Sequence, residues 1–246
     1  MLQRLVASRL ITPPAIWGKL AGHADFVRSH VRHGESEGWQ AWLAQQGRPG
    51  GIGPEASLPA SFVLPPGTLG FARSRFVVGV IVPTTDKVGR SHALLVYQLA
   101  HLRWLRQHFG RRGPRAHDWF FWLARVVARH ASLGVDADIE SLERGVYRVW
   151  QLHAPGLAQL LGRPASAAES DQRRLQRMQR VLDDLSGPAP ARDSAAQLQG
   201  VRHFPWADWP GCLYGPRGEG AFWQQDAQGG YVNAAARLPA LWSEVE

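Results

Sequence analysis

Residues Phe76 to Val82 read Phe-Val-Val-Gly-Val-Ile-Val, seven positions with no charge and no polar alternation. A β-branched run of this length, closed by Pro83, fits a strand buried on both faces, so layers must cover it from above and below. A second apolar run, Ala93 to Tyr97, follows the connection Pro83-Thr84-Thr85-Asp86-Lys87-Val88-Gly89-Arg90. That connection is too long for a tight hairpin and ample for an antiparallel return, which places the pair at the centre of a sheet. Within it, Asp86, Lys87 and Arg90 set three charges beside Gly89, a residue that tolerates positive φ. An Asp86–Arg90 pair that pins the turn is the commoner use of such residues, and a direct binding role is the other.

With 246 residues, 45% hydrophobic and 20% charged, the chain is long enough to wrap a large core around that pair. Eleven tryptophans point to an aromatic-rich core, with some left for a docking surface. The lone Cys212 excludes an intramolecular disulfide and fits a reducing compartment such as a bacterial cytosol. No run of 18 apolar residues occurs, and arginines interrupt Met1–Ala15, which reads as a short N-terminal extension or first helix and not as an export signal. The net charge of +8 invites a nucleic-acid partner. However, the basic residues are arginine except for Lys19 and Lys87, and Asn233 is the single asparagine, the skew of a GC-rich genome.

Further elements follow from periodicity. Ser36–Gln46 predicts a helix with Trp39, Trp42 and Leu43 on one face, and Gly47–Gly67 a loop. Leu99–Phe109 reads as a helix. The next begins near Pro114, carries Trp119, Trp122, Leu123, Val126 and His130 at helical spacing, and is closed by Gly134. Gly145–Leu152 alternates like a half-buried strand. Ser166–Glu169 has capping-box spacing before a helix to Leu185, and Gly187–Pro190 is the nearest thing to a linker. Strand-like stretches return at Cys212–Tyr214, Ala221–Gln225 and near Tyr231.

The search for chemistry finds no assembled catalytic set: no nucleophile elbow, phosphate loop or zinc-protease helix. Gly51-Ile-Gly53-Pro-Glu-Ala56 imitates a dinucleotide fingerprint, but no strand precedes it and Pro54 breaks the turn. Cys212 reads as a small hydrophobe at a strand start, not a catalytic thiol. His23, Asp25, His30, His33 and Glu35 supply metal-ligand types without a standard spacing; solvated loop histidines are the plainer reading, and a metal-dependent hydrolase the sharper one. Arg103, Arg106, Arg111, Arg112 and Arg115, with Trp104 and Phe109, form the best nucleic-acid patch, against which stands an ordinary arginine-rich helix end.

Three motifs in order carry a resemblance. Trp17-Gly-Lys-Leu-Ala-Gly-His-Ala-Asp-Phe-Val-Arg28, Trp39-Gln-Ala-Trp-Leu43 and Val80-Ile-Val-Pro-Thr-Thr-Asp-Lys-Val-Gly-Arg90 resemble the TagF (ImpM) family associated with bacterial type VI secretion. The likeness covers residues 16 to 97, with a weaker echo in Cys212-Leu-Tyr and Arg237-Leu-Pro239. The chain departs from the pattern at Ala21, Ala24, Gln40, Thr84 or Thr85, and Ser91-His-Ala-Leu94. The resemblance implies a cytoplasmic, non-enzymatic, post-translational repressor without cofactor or metal. It implies binding to the forkhead-associated scaffold protein of the secretion system, with Lys19, Asp25, Phe26, Asp86, Lys87, Gly89 and Arg90 as the partner-binding cluster. A basic nucleic-acid-binding protein using Arg103–Arg115 is the alternative.

Residues 16–246 are accordingly expected to form one α+β domain after the 1–15 extension. Its largely antiparallel sheet, including 76–82, 91–97, 145–152 and the C-terminal strands, would be flanked by helices on both faces.

Overall fold

The computed structural model describes residues 9–46, 59–109, 118–155, 171–184, 208–215, 218–225 and 230–242. The glycine pattern at 51–56, the capping box at 166–169, the linker at 187–190 and Arg111, Arg112 and Arg115 lie outside them.

The apolar runs at 76–82 and 93–97 extend into ten-residue strands, β4 (Phe76–Thr85) and β5 (Ser91–Ala100), paired antiparallel from Phe76↔Ala100 to Thr85↔Ser91. Around them stand β1 (Ala15–Gly18), β2 (Val27–Ser29), β3 (Ala60–Leu64), β6 (Ala221–Gln225) and β7 (Tyr231–Ala235). Among the described residues these strands form one antiparallel sheet in the order β2-β1-β5-β4-β3-β6-β7. The six helices described are α1 (Glu35–Gln46), α2 (Leu102–Phe109), α3 (Trp119–Ala131), α4 (Ile139–His153), α5 (Asp171–Asp184) and α6 (Leu238–Trp242).

The period-2 pleat divides the central strands between two cores. Val78, Val80 and Val82 of β4 and Leu94 and Val96 of β5 face α3, α4 and α5 through Phe120, Leu123, Val127, Val146, Val149 and Met178. Val77, Ile81, Leu95 and Tyr97 face the opposite way, against Trp39 and Trp42 of α1 and Leu238, Leu241 and Trp242 of α6. The expected α+β architecture with helices on both faces is therefore present. Leu10 and Ile11 are buried as well, with Ile11 bridged to Ala100, which draws the end of the expected extension into the core.

Several elements differ from expectation. Residues 145–152 are helix, not strand: Leu142, Val146, Val149 and Trp150 recur at i, i+4, i+7 and i+8 and are buried, while Arg144, Arg148 and Gln151 are exposed. The start signal is Asp138, whose carboxylate accepts from Ser141 N at 2.9 Å. Residues 60–64, expected as loop, are a strand buried throughout between β4 and β6. Cys212–Tyr214 forms a 3-10 turn, not a strand. The expected helix start at Leu99 belongs to β5, and α3 begins after Asp118, which accepts from Phe121 N at 3.1 Å and from Gln225 Nε2 at 2.9 Å.

Candidate functional site

The β4–β5 bend is built around one carboxylate. Asp86 Oδ1 accepts from Val88 N at 3.1 Å and Arg90 N at 2.9 Å, the short-range pattern by which aspartate closes a turn. Gly89 N donates to Asp86 O at 2.9 Å, and the loop closes with Gly89 at φ 82°. The second carboxylate oxygen reaches out of the bend: Oδ2 accepts from Arg90 Nε at 2.6 Å and from Lys19 Nζ at 2.7 Å. Four donors on two oxygens leave Asp86 fully engaged at 2% exposure. Burial alone would raise its pKa, but the hydrogen bonds from Lys19, Arg90 and Val88 outweigh it and hold the carboxyl well below the usual range.

Lys19 arrives from the end of β1. There Gly18, at φ 140°, packs so closely on β5 that a Cβ would lie 2.2 Å from Ala93 O. Thr84 Oγ1 donates to Lys19 O at 2.8 Å, fixing the backbone behind the ammonium. The loop after β1 then folds over the bend: His23 O accepts from Lys87 N at 2.9 Å, and Ala24 O from Arg90 Nη2 at 2.7 Å. Phe26 seals the inner side. Its ring stacks on Trp17 at 5.2 Å, meets His92 edge-on at 4.7 Å, and lies 5.3 Å from Lys19 Nζ. Burial and the nearby lysine push His92 below its ordinary pKa, against the hydrogen bond to Ala93 O.

The structure thus brings Lys19, Phe26, Asp86, Lys87, Gly89 and Arg90 into one assembly. Asp25 stands exposed beside it, its Oδ1 accepting from Phe26 N at 2.8 Å. Within the assembly the roles divide: Lys19 and Asp86 are buried, whereas Lys87, Val88, Gly89 and Arg90 face outward. Thr84, Trp17 and His92 were not among the expected site residues. Thr84 and His92 do sit on the motif segment and the strand after it, and Trp17 opens the first motif.

The histidine and carboxylate set at 23–35 disperses. His23 Nε2 lies 4.0 Å from Asp138 Oδ1 and His30 Nδ1 3.7 Å from Glu143 Oε1. Glu35 is buried, accepting from Tyr97 Oη at 2.8 Å and Arg32 N at 2.9 Å. Among the described residues no group of three or more His, Cys, Asp or Glu is close enough to hold a metal. In the arginine set, Arg103 and Arg106 are exposed, but Trp104 is buried and stacked on His108 at 4.8 Å, and the Arg106 guanidinium lies over Tyr214 at 5.4 Å. Burial raises the Cys212 thiol pKa, which favours the unreactive form.

No family model matches the chain, and no curated protein does. Among solved structures the chain is similar to the crystal structure of PA0076 from Pseudomonas aeruginosa PAO1, at 22% identity and a TM-score of 0.49 over 93% of this chain and 92% of that one. Among the described residues no helix is long and apolar enough to cross a membrane.

Proposed function

We propose that this chain is a cytoplasmic type VI secretion-associated regulator of the TagF (ImpM) kind. It acts without catalysis, as a post-translational repressor that binds the forkhead-associated scaffold protein. The observation that supports this reading is the convergence on Asp86 of two of the three resembling segments, one through Lys19 and the other through Val88 and Arg90. In the proposed role, Asp86 and Lys19 shape the bend while Lys87, Val88 and Arg90 contact the partner. A bend tied to strands ten residues long loses little entropy on docking, which favours binding through it.

The test is titration of the purified chain with the scaffold's forkhead-associated domain. Val88→Asp and Lys87→Glu, both at exposed positions, should each weaken binding by about tenfold or more and leave the melting temperature in place. Unchanged affinity in both variants, or no binding by the wild type at about 100 µM, would overturn the reading.

A further inference from the structure

The outward rim of the bend continues onto a turn contributed by the helical layer. The 3-10 turn Gly134–Asp136, between α3 and α4, packs against the loop that covers the bend: a Cβ on Gly22 would lie 2.2 Å from Ala137 O and 2.9 Å from Val135 O. The next residue, His23, accepts from Lys87 N. Val135 and Val88 therefore flank one short stretch of backbone. They are also the large hydrophobic residues exposed among those described, at 74% and 65%. One exposed valine is ordinary, but two on turns that hold the same stretch of backbone put apolar surface on both halves of the rim.

Charge divides the same rim. The bend half carries Lys87 and Arg90, with the single acid Asp25 exposed beside them. The turn half carries Asp136, followed by Asp138 and Glu140, with no lysine or arginine from Gly134 to Glu143 in a chain whose net charge is +8. Arg90 is engaged by Asp86, and Asp138 caps α4 and lies near His23. Lys87 and Asp136 are exposed and have no ion-pair partner among the described residues. The bend half thus offers Val88 with the uncommitted cation Lys87, and the turn half Val135 with the uncommitted acid Asp136 and, on the first turn of α4, Glu140.

A uniformly acidic or basic partner would satisfy one half and oppose the other. A two-fold axis removes that conflict, because an isologous contact sets residue i of one subunit on residue j of the other and repeats it in reverse. We propose that a second copy of this chain docks on this rim, with Lys87 and Val88 of one copy on Asp136 and Val135 of the other, twice about the axis. The proposal does not rest on the secretion reading. It adds that self-association covers the bend, so that a dimer and a complex through Lys87 and Val88 exclude each other.

The test is sedimentation velocity of the full chain alone, over a concentration series to about 100 µM. The wild type should dimerise reversibly. Lys87→Glu and Asp136→Lys should each weaken the dimer by about tenfold or more, and the double reversal should restore it to within about threefold, with melting curves unchanged. A wild type that stays monomeric overturns the proposal and leaves the rim to a different protein. Single reversals that sediment like the wild type place the dimer on another face and overturn it too, as does a double variant that fails to recover. No scaffold is present in this measurement, so its failure is separate from failure of the scaffold titration.

Discussion

Lys19 Nζ and Asp86 Oδ2 stand 2.7 Å apart, both buried, across 67 positions of sequence. The contact ties the end of β1 to the tip of the β4–β5 hairpin, and Arg90 shares the same oxygen. Replacing Asp86 with Asn keeps the shape and removes the charge, leaving two cations without their counterion. Breaking one side of a buried pair is costly, so the melting temperature should fall by about 5–10 °C. The folded-state pKa lies below the ordinary 3.8, so this stability is fully present above that value and is lost as pH falls through the folded pKa. Acid unfolding of Asp86→Asn should therefore show a shallower slope below pH 4 than the wild type. An equal slope in the two proteins would remove Asp86 from the acid-labile set.

Tyr97 reaches across the second core to a buried carboxylate, with Oη donating to Glu35 Oε2 at 2.8 Å. Tyr97→Phe leaves that oxygen with Arg32 N alone and should cost about 1–3 kcal/mol in denaturant unfolding. The phenol is held above its ordinary pKa by burial and by the neighbouring carboxylate. Tyr147 is pushed up to about 12, and Tyr214 and Tyr231 are also raised, chiefly by burial. Since these are all four tyrosines of the chain, the native protein should show little phenolate absorbance at pH 10. A raised folded-state pKa contributes stability below pH 10 that is lost as pH climbs, so phenolate should appear together with unfolding. Half-ionisation at pH 10 without unfolding would contradict the burial of these rings.

The centre of this fold was legible because a doubly buried strand needs neither alternation nor a polar face: 76–82 and 93–97 announce themselves as uninterrupted apolar runs. The same property hid β3. Five residues, four of them apolar, bounded by Pro59 and Pro65 look like part of a proline-rich loop, since a short run interrupted by Ser61 carries no period. In α4 the error went the other way. Val146, Arg148, Trp150 and Leu152 alternate, yet the helical stripe Leu142, Val146, Val149 and Trp150 is the one that packs, and Asp138 marked its start. At the site, Asp86 and Arg90 were legible as a turn, because their partnership is local. The contacts to Lys19, His23 and Ala24 join positions more than sixty residues apart, and the cluster anticipated from the three resembling motifs gave no geometry.

Burial also holds His92, His108 and His130 below the ordinary pKa of 6.5. His108 lies among Trp104, Phe109 and Phe120, and His130 Nε2 is 2.6 Å from Asp138 O. The unfolded chain then binds more protons than the folded one just below pH 6.5, so stability is complete above that pH and falls beneath it. Asp86 and Asp138, both with lowered pKa, contribute fully over this window and do not mask the effect. The melting temperature should drop by about 2–5 °C between pH 7.5 and 5.5. A midpoint that stays level across that range would mean that these rings accept protons without leaving their places.

Gly18 and Gly89 both hold positive φ, at 140° and 82°, yet substitution should affect them differently. A Cβ on Gly89 meets no atom within 4 Å, so Gly89→Ala incurs only the left-handed backbone penalty of about 1 kcal/mol, and Gly89→Asn less. A Cβ on Gly18 would lie 2.2 Å from Ala93 O and 2.7 Å from Leu94 Cα, both of which are backbone held in the ladder with β1 and β4. Since those atoms cannot give way without breaking strand pairs, β1 must shift, and with it Lys19, the next residue. Gly18→Ala should therefore lose about 2–4 kcal/mol and loosen the bend as well. Amide exchange would show this as faster exchange at Val88 N and Arg90 N, the donors to Asp86 Oδ1, while Gly89→Asn keeps both slow. Equal losses for the two alanine variants would mean that backbone conformation alone, and not the approach of β1 to β5, sets the glycine at position 18.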